Sequence, residues 1–117
     1  MPALNFKKQF APKVESGKKR QTIRRKRRDG KYPRPGQTLY LYTGMRTKSC
    51  RKLGEETCKS SLPILIDGRN VVVGGQLLSA DEELKLAQAD GFEGVEDFRN
   101  FFSNQDADAF DGVLICW

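Results

Sequence analysis

A threonine hydroxyl set among cations is the first chemistry this chain offers. Thr22 stands in the segment Gly17-Lys18-Lys19-Arg20-Gln21-Thr22-Ile23-Arg24. That segment opens a run, Lys18 to Lys31, in which nine of fourteen residues are Lys or Arg and only Asp29 opposes them. Such a run attracts phosphate, so RNA, a nucleoside or a nucleotide is the expected partner. Lys19 and Thr22 also read as a base and a nucleophile. A free lysine, with a pKa of about 10.4, is a poor base at neutral pH. Neighbouring Lys18, Arg20 and Arg24, together with partial burial, favour its neutral form. A lysine so tuned can deprotonate the Thr22 hydroxyl, the Ser–Lys logic with threonine substituted. Arg24 supplies a guanidinium fork suited to phosphate or carboxylate, or else an ion pair within the fold. The tract of Arg24, Arg25, Lys26, Arg27 and Arg28 is expected to make phosphate contacts that carry no sequence information.

The charge is divided along the chain. Residues 1–60 hold 18 basic and 4 acidic groups, a balance of +14, whereas residues 61–117 hold 3 and 11, a balance of −8. A polymeric anion therefore meets one attractive and one repulsive face, which orients it before specific contacts form. The acidic half offers a weaker alternative, a docking face for a protein factor. Cys50, Cys58 and Cys116 make neither a disulfide framework nor a zinc pattern, and the chain has no histidine, so neither a metal nor another cofactor is expected. No stretch approaches the roughly 20 apolar residues of a membrane span. No apolar secretory leader is evident, and a reduced, cytoplasmic protein is expected.

Positioning these groups requires ordered elements, and 117 residues suffice for one domain, 1–117. Leu4 to Phe6 reads as an opening strand. Phe10, Ala11 and Val14 share a helical face within Gln9–Ser16, and Gly17 suits the left-handed position after it. Gln21 to Arg25 reads as a strand in which Thr22 and Arg24 share an outer, ligand-facing side while Ile23 points inward. Gln37 to Thr43 forms another, with Leu39 and Leu41 opposite Tyr40 and Tyr42. Tyr40 is assigned to packing and Tyr42 to ligand contact. Gly44–Glu56 reads as a cationic loop containing Arg46 and Lys48. Strands Leu62–Ile66 and Val71–Leu78 follow, joined by Asp67-Gly68-Arg69-Asn70. Ser79 and Glu82 form a capping box before a helix that Gly91 ends. Val95, Phe98, Phe101 and Phe102 mark a second helix, and Phe110–Trp117 a closing strand, with Trp117 plugging the core. Strands on both sides of paired helices predict an α+β fold, a small twisted barrel with helices at its side.

Gly17-x-Lys19-x4-Arg24 matches the G-x-K-x(4)-R signature of the ASCH domain family, a branch of the PUA-like barrels, and the chain resembles that family. The Phe-containing first helix, the strand after the Pro-Gly turn, the segment Ala89-Asp90-Gly91-Phe92 and the terminal apolar strand follow in family order. Tyr42-Thr43-Gly44-Met45-Arg46-Thr47-Lys48 is similar to a segment of phage and prophage members. The resemblance implies a PUA-like β-barrel with flanking helices and a cleft that binds RNA or nucleotides. It also implies an alternative, a small hydrolase. One branch removes the acetyl group of N-acetylcytidine with Lys, Thr and Glu, and another member cuts RNA. The lysine falls on Lys19, the threonine on Thr22 and the acid on Asp90, one methylene shorter than the branch's glutamate. Asp90 would hold the lysine or pass a proton to the leaving amine, and as a neighbouring carboxylate it favours the ammonium form. The geometry this implies is a cleft lined by Lys19, Thr22 and Arg24 and bordered by Asp90, with Gly17 and Lys18 among the ligand contacts. Tyr42, Thr43, Arg46 and Lys48 are expected on its opposite wall.

Overall fold

The closing strand divides the molecule into two cores, because its side chains alternate between two covered faces. The computed structural model describes residues 3–25, 32–67, 70–103 and 109–117. In chain order the elements are β1 (Ala3–Phe6), α1 (Ala11–Glu15), β2 (Gln21–Arg25), β3 (Thr38–Thr43), β4 (Arg51–Thr57) and β5 (Ser60–Asp67). Then come β6 (Val71–Val73), β7 (Gln76–Leu77), α2 (Ala80–Ala89), α3 (Val95–Ser103) and β8 (Ala109–Cys116). One sheet has the order β1-β3-β4, with β1 parallel to β3; the other is antiparallel in the order β2-β8-β5-β6-β7. The fold is α+β, and among the described residues no ladder joins the two sheets into a closed ring.

Val113 and Ile115 of β8 pack with Leu4 and Phe6 of β1, Leu39 and Leu41 of β3, Val14 of α1 and Phe10 at its N-cap, and Trp117. Leu114 and Phe110 face the other way, onto Ile64 and Ile66 of β5, Leu86 of α2, and Phe98 and Phe102 of α3. The five-stranded sheet is thus covered by helices on one face and, over β2 and β8, by the smaller sheet on the other. Fully burying each Leu, Ile or Phe contributes about 1.5–3 kcal/mol, so these two clusters hold the layers together.

Local signals account for most element boundaries. Gly17 has φ +81° directly after α1, the conformation L-residues avoid. The Ser79 hydroxyl accepts from the Glu82 amide at 3.2 Å while the Ser79 amide donates to Glu82 Oε1 at 3.1 Å, closing the capping box. Two expectations are corrected. The cationic loop ends at Cys50, and Arg51–Thr57 is a strand whose charged residues suit an exposed sheet edge. The single strand over Val71–Leu78 is a hairpin, β6 and β7, turned by Gly74 and Gly75 at φ +59° and +82°. Of the turn expected before it, Gly68 and Arg69 lie outside the described residues.

Gly112 sets the contact between β8 and β2. A Cβ there would lie 2.3 Å from the Arg24 carbonyl oxygen and 2.5 Å from Phe110 Cε1. Gly112→Ala is therefore expected to lose about 1–3 kcal/mol, read as a lower denaturant midpoint, by forcing β2 away from its neighbour.

Candidate functional site

The chain after Gly17 turns back so that the Lys19 amide donates to the Lys13 carbonyl at 2.9 Å, which aims the Lys19 side chain inward. Its ammonium is almost wholly buried, at 2% exposure of the residue. Nζ donates to the Asp90 carbonyl at 2.5 Å and to Asp90 Oδ1 at 3.0 Å, and lies 5.0 Å from the centre of the Phe10 ring. Asp90 is the C-cap of α2, so a cation meets the negative end of that helix. Lys13 reinforces the arrangement by donating from Nζ to the Gly91 carbonyl at 2.9 Å. Gly91 itself adopts φ +100°, and a Cβ there would sit 3.0 Å from the Phe10 ring. The bend at Gly91 and the Phe10 ring therefore fix where Asp90 stands. Gln21 adds a donor, Nε2 reaching Asp90 Oδ1 at 3.4 Å and the Leu86 carbonyl at 3.4 Å.

Burial dominates the electrostatics. It pushes the Lys19 pKa below its ordinary value, although Asp90 pulls it upward through charge and hydrogen bonding. Burial likewise raises Asp90, against the opposing pull of Lys19, Gln21 and Arg24. Both shifts favour neutral forms, so removing two charges from water outweighs their mutual attraction.

Thr22 and Arg24 share one face of β2, as strand alternation requires, and Arg24 Nε donates to Thr22 Oγ1 at 3.0 Å. The guanidinium carbon lies 4.9 Å from the Phe6 ring centre, spanning the outer edges of the two sheets at β2 and β1. Burial lowers the Arg24 pKa, with Asp90 opposing; arginine stays cationic regardless. Among the described residues the Nε bond is the only hydrogen bond that the Arg24 side chain makes, which leaves its terminal nitrogens as donors for a ligand. One correction concerns Thr22. Its side of β2 was expected to be open, yet the residue is buried, because the smaller sheet covers that face beside Val113 and Ile115.

The remaining positions divide. Gly17 and Lys18 are exposed beside the Lys19 turn. Arg25 is exposed and points to the opposite side of β2, its guanidinium 5.7 Å from the Phe110 ring. Arg27 and Arg28, with Lys26, lie outside the described residues. Thr43 is buried and donates from Oγ1 to the Phe6 carbonyl at 2.8 Å, a strand-to-strand tie. Arg46 and Lys48 are exposed on the Gly44–Cys50 loop. Tyr42 does not form the far wall of the cleft. Leu39, Leu41 and Thr43 occupy the buried face of β3, which sends Tyr40 and Tyr42 to the outer face.

Lys19 thus meets Asp90 and Thr22 meets Arg24, and the two contacts are linked by the Arg24 charge, which acts on both Lys19 and Asp90. Gln21, Phe6, Phe10 and Lys13 are supports without a role in the sequence reading. The alternation that put Ile23 inward also put Gln21 on the helix side, a signal that was present. The Phe6 and Phe10 contacts depend on tertiary packing and had none. Among the described residues no group of three or more His, Cys, Asp or Glu side chains is placed to hold a metal ion. Every buried side-chain polar atom described has a partner. The site is a satisfied polar network whose spare hydrogen-bonding capacity lies at Arg24. Among described residues no helix is long and apolar enough to cross a membrane. No family model, no curated protein and no solved structure matches the chain.

Proposed function

We propose that the chain is an ASCH-type domain, an open PUA-like barrel, that binds RNA or a nucleotide in the cytoplasm through its basic amino-terminal half. Arg24 is the anion-recognising group. Thr22 and Phe6 fix its plane, and the buried Lys19–Asp90 pair braces the start of β2 against the end of α2. The observation that carries this reading is the fixed guanidinium at the start of the tract Arg24–Arg28, inside the half of the chain with a balance of +14. A preorganised fork loses little entropy on meeting phosphate. Lys19 commits its hydrogen bonds to the Asp90 carbonyl and carboxylate and so serves as a positioning residue. Arg24→Ala should weaken binding of labelled single-stranded RNA at least about tenfold by fluorescence anisotropy, the size of one charged hydrogen bond. Arg24→Lys should recover only part, lacking the fork. Unchanged affinity in Arg24→Ala removes the residue from the interface.

A second reading, a small hydrolase, draws on one observation: Lys19 is held toward its neutral form by burial, as a general base must be. In that chemistry the lysine takes the Thr22 proton and the alkoxide attacks an acyl carbonyl such as that of N-acetylcytidine. The amide C–N bond breaks as Asp90 relays the Lys19 proton to the leaving amine, and water then cleaves the acetyl-threonine ester, releasing acetate and restoring Thr22. Lys19 bonds to Asp90, so the proton transfer requires the lysine to turn toward Thr22. The assay is turnover of N-acetylcytidine and of single-stranded RNA. Thr22→Val should fall to background under this reading, and a wild-type rate in that variant dismisses it.

A further inference from the structure

The displacement of Tyr42 from the cleft leaves two tyrosines on a face that the Lys19 cluster does not use. Tyr40 and Tyr42 are neighbours on the outer side of β3, each partly buried. Across the ladders, Ala3 and Glu55 flank Tyr40, while Asn5 and Lys52 flank Tyr42, and all four are exposed. We infer that this outer sheet face is a second nucleic-acid surface, on which Tyr40 and Tyr42 stack successive bases of a single strand. The inference rests on the RNA-binding reading above and adds a site to it.

Three features support that occupant. Residues two apart on a strand are separated by about 6.8 Å, so each ring can take its own base. Ala3 and Asn5, which flank the rings on the β1 side, carry short side chains. Lys52 Nζ lies 5.5 Å from the Tyr40 ring centre, and an arriving base exchanges that cation–π contact with an exposed lysine for a stack. The charge is complementary at one end. Arg46 and Lys48 follow β3 directly and are exposed, and neither forms an ion pair among the described residues. Lys52 is different, since Glu55 pairs with it beside Tyr40. The backbone of a bound strand is therefore drawn toward the Tyr42 end, where the Gly44–Cys50 loop supplies the cations. That loop is tied to β1, the Met45 amide donating to Asn5 Oδ1 at 3.0 Å, and Gly44 and Arg46 both adopt positive φ. It presents its cations from a shaped turn. Sheets that bind single strands by stacking use the same combination of paired aromatic residues and flanking charge.

The test is anisotropy with a labelled single-stranded RNA of about ten nucleotides, measured across a salt series. Tyr40→Ala and Tyr42→Ala should each weaken binding about tenfold without changing the salt slope, because stacking releases no counterions. Tyr40→Phe and Tyr42→Phe, which keep the ring and the fold, should bind as wild type does. Arg46→Ala with Lys48→Ala should instead reduce the slope by about 1.4. If wild-type protein binds and Arg24→Ala weakens it while both tyrosine-to-alanine variants match wild type, this surface is overturned and the cleft stands. If the phenylalanine variants lose as much as the alanine ones, stacking is overturned as the cause. If wild type binds no RNA at low salt, both surfaces fall.

Discussion

Asp90→Ala is expected to lose about 3–5 kcal/mol of stability, read as a shift in the denaturant midpoint. The Lys19 ammonium, 3.0 Å from Asp90 Oδ1 and nearly without solvent contact, would keep its desolvation cost and lose its partner. Removing both partners has a different outcome. Lys19→Met combined with Asp90→Leu should leave stability unchanged or raise it by about 1–4 kcal/mol, because an apolar pair of similar volume needs no dehydration of charge. A double-substituted protein as unstable as the single one would contradict the view that burial outweighs attraction here. The pH dependence carries a sign as well. The folded pKa of Lys19 lies below its unfolded value. Between the folded and the unfolded pKa the unfolded chain therefore binds the extra proton, and this group's contribution improves as pH rises through that window toward about 10.4, the unfolded lysine value. Asp90 is shifted upward, so its contribution is fully present below about 3.9 and lost as pH rises through its folded pKa. Asp90→Asn retains only the lysine effect. Its deficit against wild type should narrow between pH 7 and pH values above about 10.4.

Much of the scaffold was legible because its signals are local. Gly17 after Val14, the Ser79–Glu82 box and the glycine after Asp90 each specify a backbone conformation within a few residues. The period-two pattern of Gln21–Arg25 likewise placed Thr22 and Arg24 together, and their side chains are in contact. What lay beyond reach is tertiary. The Lys19–Asp90 contact joins residues 71 apart in sequence, and only family order suggested it. Alternation separated Tyr40 and Tyr42 from Leu39 and Leu41, but a strand does not encode which of its faces meets the cleft. That is settled by the parallel docking of β1 and by Phe6, which turns inward beneath Arg24. Thr22 reads as exposed because its own strand holds no sign of a second sheet lying over it. β4 reads as loop in sequence because its charges and Gly54 mimic one, whereas an edge strand tolerates both.

The central claim, that the basic half binds a nucleic-acid backbone, is tested most directly by the salt dependence of RNA affinity. With about five phosphate contacts to a single strand, log affinity should fall against log salt with a slope near −3.5. Raising salt from about 50 to about 200 mM then weakens binding roughly a hundredfold. Charge reversal at Arg24 and Arg25 should flatten the slope, since each removes about one contact. Reversals among the acidic residues from Asp81 to Asp97 should leave it unchanged, because they lie in the half with a balance of −8. A slope of about −3.5 that falls with Arg24 and Arg25 is the result this account predicts; a flat response, or no binding at low salt, contradicts it.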